Sequence, residues 1–440
     1  MPKLFLCVDP GGSQTKIIYQ LTQDKKPRYL LMPPEVEQIK ADNLKRYLEK
    51  ESSLSNPSPI RQAYLKVKER TFVVGYFASL FDPEDRLQEI KYENALYKTL
   101  AAVGIIVEQN KLNPKKISLQ LAILLPWNEY EDREKFYNKL KEYLSSFVFR
   151  ASTYSVELDK FICRPEGGGL AAIHTRKKDS EWQQDKKLGI LMFGHRNITA
   201  LCFEYGELTG DSPLIGFSKL IDNVISRTSG LDRNRIASAI FKGLESDETD
   251  SYDDSDYAKH TVYPEWDELG AIKELANARD EDLQQQEIED VCQAIKVATS
   301  EYWTTVSKWL TRVFPADLDS VVISGGASRF LEPDLEKHFN CEHKYKYERA
   351  NGSYSNYIYK RTGEYQQDDL ERHFTTMVWG AGFVSEIKQI LALDGKFEAE
   401  NSLSYRLVDA YGLFDLLISK NHQKAKKASR PPVKQEGSVS

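Results

Sequence analysis

The chain has 440 residues, 41% of them hydrophobic and 29% charged, and a formal net charge of −6. That length predicts two or three domains with sizeable cores, and the composition is that of a soluble globular protein. The acidic balance argues against a globally basic nucleic-acid binder, and no run approaches the roughly 20 apolar residues that span a bilayer.

The elements are expected in this order. Residues 3–21 read as a β-hairpin: two apolar runs joined by Asp9-Pro-Gly11-Gly12-Ser13, with Lys16 opening the second run. Asp42–Glu51 reads as a weak helix, and Tyr64–Val67 and Thr71–Gly75 as short strands. Ile90, Leu96, Leu100, Val103, Ile106 and Val107 recur at helical spacing. Ile117–Leu125 is an aliphatic strand, Asp132–Phe147 an amphipathic helix and Ser152–Glu157 a strand, and the glycines after Glu166 open another helix. A second strand–turn–strand unit, 188–203, echoes the first around Gly194-His195-Arg196-Asn197-Ile-Thr199. Gly216–Thr228 is helical, and Glu245–Asp256, with seven acids in twelve residues, is expected as a solvated loop. Glu287–Val313 gives one long helix or two. Leu318–Ile323 is a buried strand entering Ser324-Gly325-Gly326-Ala-Ser328, and Lys344–Gln366 a polar loop or irregular hairpin. Phe374–Leu393 carries Trp379-Gly380-Ala381-Gly382 into a helix. Asn421–Ser440 is basic, with almost no apolar mass, and is expected to be disordered. The five cysteines are scattered with no CxxC spacing, so they read as buried thiols in a reducing compartment. With no secretory signal, the cytoplasm is the expected location.

The first turn has the chemistry of a phosphate site. Backbone N–H groups bared by glycine make an anion-sized concavity, lysine adds a point charge, and aspartate can hold hydrated magnesium. Asp-Pro-Gly-Gly is also an ordinary turn string, so the recurrence further along the chain matters. Two similar strand–turn–strand units suggest two α/β halves with a nucleotide in the cleft between them.

Together the segments resemble the actin-like ATPase superfamily, and within it the ParM-type filament proteins. Asp9–Lys16 matches the first phosphate loop, and Pro165-Glu166 is similar to the first connecting helix. Gly194–Thr199 sits where the second phosphate loop belongs, Ile323–Ser328 matches the adenosine motif, and Trp379–Gly382 matches the second connecting helix. The resemblance implies a two-lobed α/β fold, each lobe built on a ribonuclease H-like mixed sheet, with nucleotide in the central cleft. Its expected divisions are a first lobe at 1–165 with an insertion at about 28–115, and a second lobe at 166–374 with a helical insertion at about 229–316. C-terminal helices at 375–420 would return to the first lobe, followed by the tail at 421–440.

The implied cofactors are ATP or GTP and Mg2+. Asp9 would face the metal through water. Gly11, Gly12, Ser13 and Lys16 would hold the β- and γ-phosphates, with Gly194, His195, Arg196, Asn197 and Thr199 opposite. Glu166 would orient or polarise the attacking water, and Gly325, Gly326 and Ser328 would meet the adenosine. One departure stands out: the family's second loop opens with aspartate, and the matching position here is Met192. Either His195, Arg196 and Asn197 remake the site, or the protein binds nucleotide and turns it over slowly or not at all.

The function these residues imply is a nucleotide-binding protein that polymerises with ATP, in plasmid segregation or as a cytoskeletal scaffold, with hydrolysis in doubt. The expected partners are further copies of itself and a DNA-bound adaptor or cargo protein, with direct DNA contact only through the basic tail. The alternatives are a small-molecule kinase of the same fold and a non-hydrolysing nucleotide-dependent scaffold.

Overall fold

The computed structural model describes residues 2–51, 57–81, 91–176, 178, 186–228, 230–246, 266, 270–315, 317–339, 344–348, 354–359, 365–367, 375–393 and 403–428. The hairpin forms as its pattern demands. Lys3–Pro10 (β1) pairs antiparallel with Thr15–Leu21 (β2), and β2 pairs with Arg28–Met32 (β3). On the other side β1 runs parallel to Ile117–Leu125 (β4), and β4 runs parallel to Val156–Pro165 (β5). All nine residues of β4 are buried, which is why it reads as an unbroken aliphatic run rather than an alternating one.

The same plan recurs in the second half. Leu188–Phe193 (β6) pairs antiparallel with Ile198–Glu204 (β7), and β7 with Glu207–Asp211 (β8). Ser320–Ser324 (β9) and Thr376–Trp379 (β10) extend the other side in parallel. The two five-stranded orders, β5-β4-β1-β2-β3 and β10-β9-β6-β7-β8, are the same. Each is a three-strand meander with two parallel strands added beside its first strand, which is the expected mixed sheet in each lobe.

Helices cover the sheets. Lys91–Gln109 (α1) and Arg133–Ser145 (α2) lie on the first lobe, and Phe217–Ile225 (α4) and Glu281–Val313 (α5) lie in the second. Between these pairs, Gly168–Thr175 (α3) follows β5; Val384–Leu391 (α6) and Val408–Ala428 (α7) close the order. Three large buried cores result, with a fourth, small one of Leu44, Val73, Phe77 and Ala78 beside the minor sheet. One fills the first lobe between its sheet, α1 and α2, and one fills the second around α4 and α5. The third joins the lobes. It brings Cys7, Ile18 and Leu124 of the first sheet and Ile190, Leu201 and Val322 of the second onto α3 and the segment 403–417.

Several local expectations shift. Ser152–Glu157 is two strands, Ser152–Tyr154 and β5, because β5 runs on to Pro165 beside β4. Ser152–Tyr154 joins Val36–Ile39, Ala63–Val67, Arg70–Val74 and Phe147–Phe149 in a small antiparallel sheet on the first lobe. The first-lobe insertion is therefore not simply 28–115: Arg28–Met32 is an edge strand of the main sheet, and 147–154 completes the small one. The long helix is single, 33 residues, with Asp280 Oδ1 accepting the N–H groups of Asp282 and Leu283 at its start. The polar stretch at 344–366 carries a three-stranded antiparallel sheet, Lys344–Glu348, Tyr354–Tyr359 and Tyr365–Gln367. Most of the acidic stretch, 247–256, lies outside the described residues, as does Cys341. Helix α7 continues to Ala428, so the first eight residues of the expected disordered tail are helical. The other four cysteines are free and buried, as their apolar surroundings imply.

Candidate functional site: an interlobe cleft

The two turns are equivalent in detail. In the first hairpin the last paired residues are Pro10 and Thr15, preceded by the pair Asp9–Lys16; four residues, Gly11–Gln14, form the turn. In the second the last pair is Phe193–Ile198, preceded by Met192–Thr199, and Gly194–Asn197 form the turn. Each turn opens with glycine for the same reason. A Cβ on Gly11 would lie 2.5 Å from the Gln14 carbonyl oxygen, and one on Gly194 would lie 2.8 Å from that of Asn197. Met192 is thereby fixed as the counterpart of Asp9, and Thr199 as that of Lys16. The methionine packs over Gly167, whose added Cβ would be 3.2 Å from its Cγ, as part of the joining core.

Asp9 and Lys16 form a largely buried ion pair. Burial pushes the Asp9 carboxyl up, but the ammonium groups of Lys16 and Lys91 outweigh it and hold the carboxyl below its ordinary value. On the opposite side, Glu166 leaves the end of β5 with its N–H bonded to the Leu125 carbonyl (2.7 Å). Its Oε2 accepts from Asn197 Nδ2 (2.8 Å) and Thr199 Oγ1 (3.1 Å), while its Oε1 is ion-paired with Lys91. Ser212 completes the cluster, 2.7 Å from both Asn197 Nδ2 and Thr199 Oγ1. Lys91 and Glu166 thus link the first loop to the second. Burial disfavours the Lys91 charge, but Glu166 and Asp9 outweigh it and raise its pKa.

Arg196 turns away from this cluster toward Glu129 of the first lobe (3.3 Å). Three buried polar atoms in or beside the two turns, Gln14 Oε1, Thr15 Oγ1 and Arg196 Nε, have no hydrogen-bond partner among the described residues. Buried polar atoms are ordinarily satisfied, so orphans at both turns mark where a ligand or water belongs. His195 contributes its backbone oxygen to the start of α4, accepting from the Ser218 N–H (2.8 Å). Gly12 is half-buried and Ser13 exposed at the tip of the first turn.

The glycine pair after β9 divides in role. Gly325, at φ +99°, needs to be bare because a Cβ would lie 2.3 Å from the Phe193 carbonyl oxygen. Gly326 has room, meeting only the Arg406 side chain, Cγ at 3.7 Å and Cδ at 4.0 Å. Ser328 is occupied internally: its hydroxyl donates to the Gly325 carbonyl (2.7 Å) and accepts from Tyr405 OH (2.7 Å). Of the three, Gly326 is free to face a ligand, beside a largely buried Arg406 that lies in the field of Asp9.

The helix that crosses α3 is α7, not the helix after Trp379–Gly382. A Cβ on Gly169 would fall 1.8 Å from the Asp409 carbonyl oxygen, and one on Gly412 would fall 2.0 Å from that of Gly169. Only two glycines permit so close an approach. The second connecting helix therefore centres on Asp409-Ala410-Tyr411-Gly412. Gly380 instead abuts β9, with Ser324 Oγ 2.3 Å from where its Cβ would stand, and Gly382 faces open space. The Asp409 carboxylate accepts the N–H groups of Gly167 (2.7 Å) and Leu170 (2.9 Å), capping α3 directly after Glu166.

Burial pushes the Asp409 carboxyl up to about 7, against the pull of those two N–H groups. Its folded value then exceeds the unfolded one, near 3.9. Its contribution to stability is complete below about pH 4 and lost as pH rises through 7. Urea unfolding of Asp409→Asn and the parent between pH 5 and 8 measures this. The parent is expected to lose on the order of 2 kcal/mol more than the variant across that window.

Sequence reasoning missed Lys91, Lys98, Glu129, Ser212, Arg406 and Asp409. For the lysines a signal exists: α1 is buried on all sides from Ala95 to Val107, and a lysine inside such a helix is rarely idle. For Asp409 the signal is a glycine three residues later in an otherwise apolar helix.

No family model matches the chain, and no curated protein sequence matches it. Among solved structures, ParM from Bacillus thuringiensis with ATP is similar over 96% of this chain and 99% of that one, at TM-score 0.51 and 11% identity. An Alp12 filament structure (TM-score 0.48, 12% identity) covers 95% of this chain and 99% of its own. The archaeal actin homolog Ta0583 (TM-score 0.47, 14% identity) covers 94% and 99%. No helix among the described residues is long and apolar enough to cross a membrane. With two sheets of one strand order, joined by crossing helices and by the polar contacts of Lys91, Glu166 and Asn197, the chain has the actin-like fold, in a form similar to that of ParM-type proteins.

Proposed function

We propose that the cleft binds ATP with Mg2+ and that the bound nucleotide drives assembly of the chain into filaments. The observation that carries this reading is the pair of equivalent turns with orphaned buried polar atoms on both. The likeness to ParM with ATP supports the nucleotide, and the sequence resemblance to ParM-type proteins supports assembly. In this reading the N–H groups of Gly11, Gly12 and Ser13, with Lys16, hold the β- and γ-phosphates. Asp9 faces the metal through water. Among the described residues no three metal-ligating side chains cluster, and Mg2+ bound by one carboxylate and nucleotide phosphates requires none. The metal would neutralise phosphate charge. Glu166 takes the proton of the water that attacks the γ-phosphorus, while the bond from that phosphorus to the bridging oxygen breaks and ADP leaves. Asn197 and Thr199 orient Glu166.

Met192 favours a second reading for turnover. A methionine packed in the core supplies no polar group where the Asp9 counterpart stands, so hydrolysis is slow or absent while binding persists. Sedimentation with ATP, ADP and a non-hydrolysable ATP analogue, with phosphate release followed in parallel, tests both. Pelleting with ATP and the analogue but not with ADP is expected. Absence of nucleotide binding overturns the proposal, and ATP consumption only with an added hydroxyl substrate assigns a kinase instead. Assembly without phosphate release selects the non-hydrolysing form. A role in plasmid segregation, through an adaptor, follows only if filaments form.

A further inference from the structure

Two lysines of α1 are buried beside Asp9. Lys91 is 7% exposed and Lys98 is 4% exposed. Seven residues apart, they share one face of the helix. Lys91 is the first residue of α1, and its place is set by Glu129, whose Oε1 accepts the Lys91 N–H (3.0 Å) and whose Oε2 accepts that of Tyr92 (2.7 Å). From there its ammonium reaches Glu166 and lies in the field of Asp9. Lys98 makes no hydrogen bond or ion pair among the described residues, though it faces the carboxylates of Glu35 and Asp9 and the cations of Lys91 and Arg196. A buried cation with no paired acid is costly unless an anion completes its site. Burial and the neighbouring Lys91 charge bring its pKa down to about 7, the behaviour of an ammonium short of counter-charge.

The Glu166 carboxylate raises a second question. With Lys91 on one oxygen and Asn197 and Thr199 on the other, it has little capacity left for a water molecule. An incoming terminal phosphate would carry more negative charge than Glu166.

We propose that Lys91 and Lys98 are phosphate-binding residues of the cleft, and that Lys91 exchanges Glu166 for the terminal phosphate when ATP enters, freeing the carboxylate for the attacking water. This rests on the nucleotide reading given above. It makes the site self-blocking before substrate arrives: the general base is held by the same lysine that the substrate removes.

The test is a binding cycle by isothermal titration calorimetry with ATP and with ADP, at protein concentrations below assembly. The variants are Lys91→Met, Glu166→Gln, the two together, Lys91→Arg and Lys98→Met. Lys91→Met alone strands the Glu166 charge and can destabilise the fold, whereas the double variant removes both charges. Against the Glu166→Gln background, Lys91→Met is expected to lower ATP affinity at least tenfold and ADP affinity less than threefold. Lys91→Arg is expected to keep most of the ATP affinity, and Lys98→Met to lower it at least fivefold. If Lys91 only props the fold or Glu166, the double variant binds ATP as Glu166→Gln does, or ATP and ADP weaken equally; either result overturns the exchange. Unchanged affinity in Lys98→Met overturns the pair. If the unaltered protein binds neither nucleotide, the nucleotide reading itself fails.

Discussion

Glu166→Gln is expected to reduce phosphate release from ATP about a hundredfold or more, with ATP affinity held or improved. The loss corresponds to about 2.7 kcal/mol of transition-state stabilisation, the usual cost of removing one positioned group from such a site. Glutamine is the informative replacement. It keeps the volume and lets the side-chain oxygen accept from Asn197 and Thr199, but it cannot take a proton from water. It also removes the acid that holds Lys91, so the lysine is released toward phosphate. Single-turnover measurements separate the chemical step from binding. Equal rates in the variant and the parent remove Glu166 from the chemistry. A parent with no measurable turnover assigns the non-hydrolysing form, for which the apolar side chain of Met192 is the physical reason.

The second large effect lies at the helix crossing. Gly169→Val is expected to destabilise the protein by at least about 3 kcal/mol, since overpacking against backbone cannot be relieved by a side-chain rotation. The new Cβ would meet the Asp409 carbonyl oxygen at 1.8 Å and the Leu413 N at 2.7 Å, so α3 and α7 must separate. Separation also strips the Asp409 carboxylate from Gly167 and Leu170 and loosens the joining core around Leu170, Leu407 and Leu413. Nucleotide affinity should fall with stability, because Glu166 immediately precedes that cap. Gly382→Ala is the control. Nothing stands within 4 Å of its Cβ, and the change is expected to stay within about 0.5 kcal/mol. Thermal unfolding of the two variants decides the assignment: a mild Gly169→Val with a severe Gly382→Ala would return the second connecting helix to Trp379–Gly382.

Much of the fold was legible because its signals are local. Apolar runs of strand length flanking a glycine turn mark both hairpins, and the repeat of that unit implies two related lobes. The aliphatic strand Ile117–Leu125 follows from its unbroken apolar run, and helical spacing up to Val313 gave the helix there, though not whether it was one or two. The turn residues Asp9, Gly11, Lys16 and Gly194 stand where the pattern put them, and Glu166, Asn197 and Thr199 meet as one cluster. The second connecting helix was misread because two glycines in a helix-like string look alike wherever they occur. Only the opposing backbone tells a crossing point from open surface. Gly325 raises the same issue: its bareness reads as room for a base, while the atom it clears is the Phe193 carbonyl oxygen.

The amino-acid sequence by itself determined the elements, the duplicated plan and the residues of the two loops, since periodicity and turn chemistry act over a few residues. The match of Met192 to Asp9 was also read from sequence, and the hydrogen-bonded ladders agree with it. Tertiary structure alone decided two things. Close approach of α3 and α7 placed the crossing at Gly169 and Gly412. Packing around α1 buried Lys91 and Lys98, where their cost depends on charges contributed by distant segments of the chain.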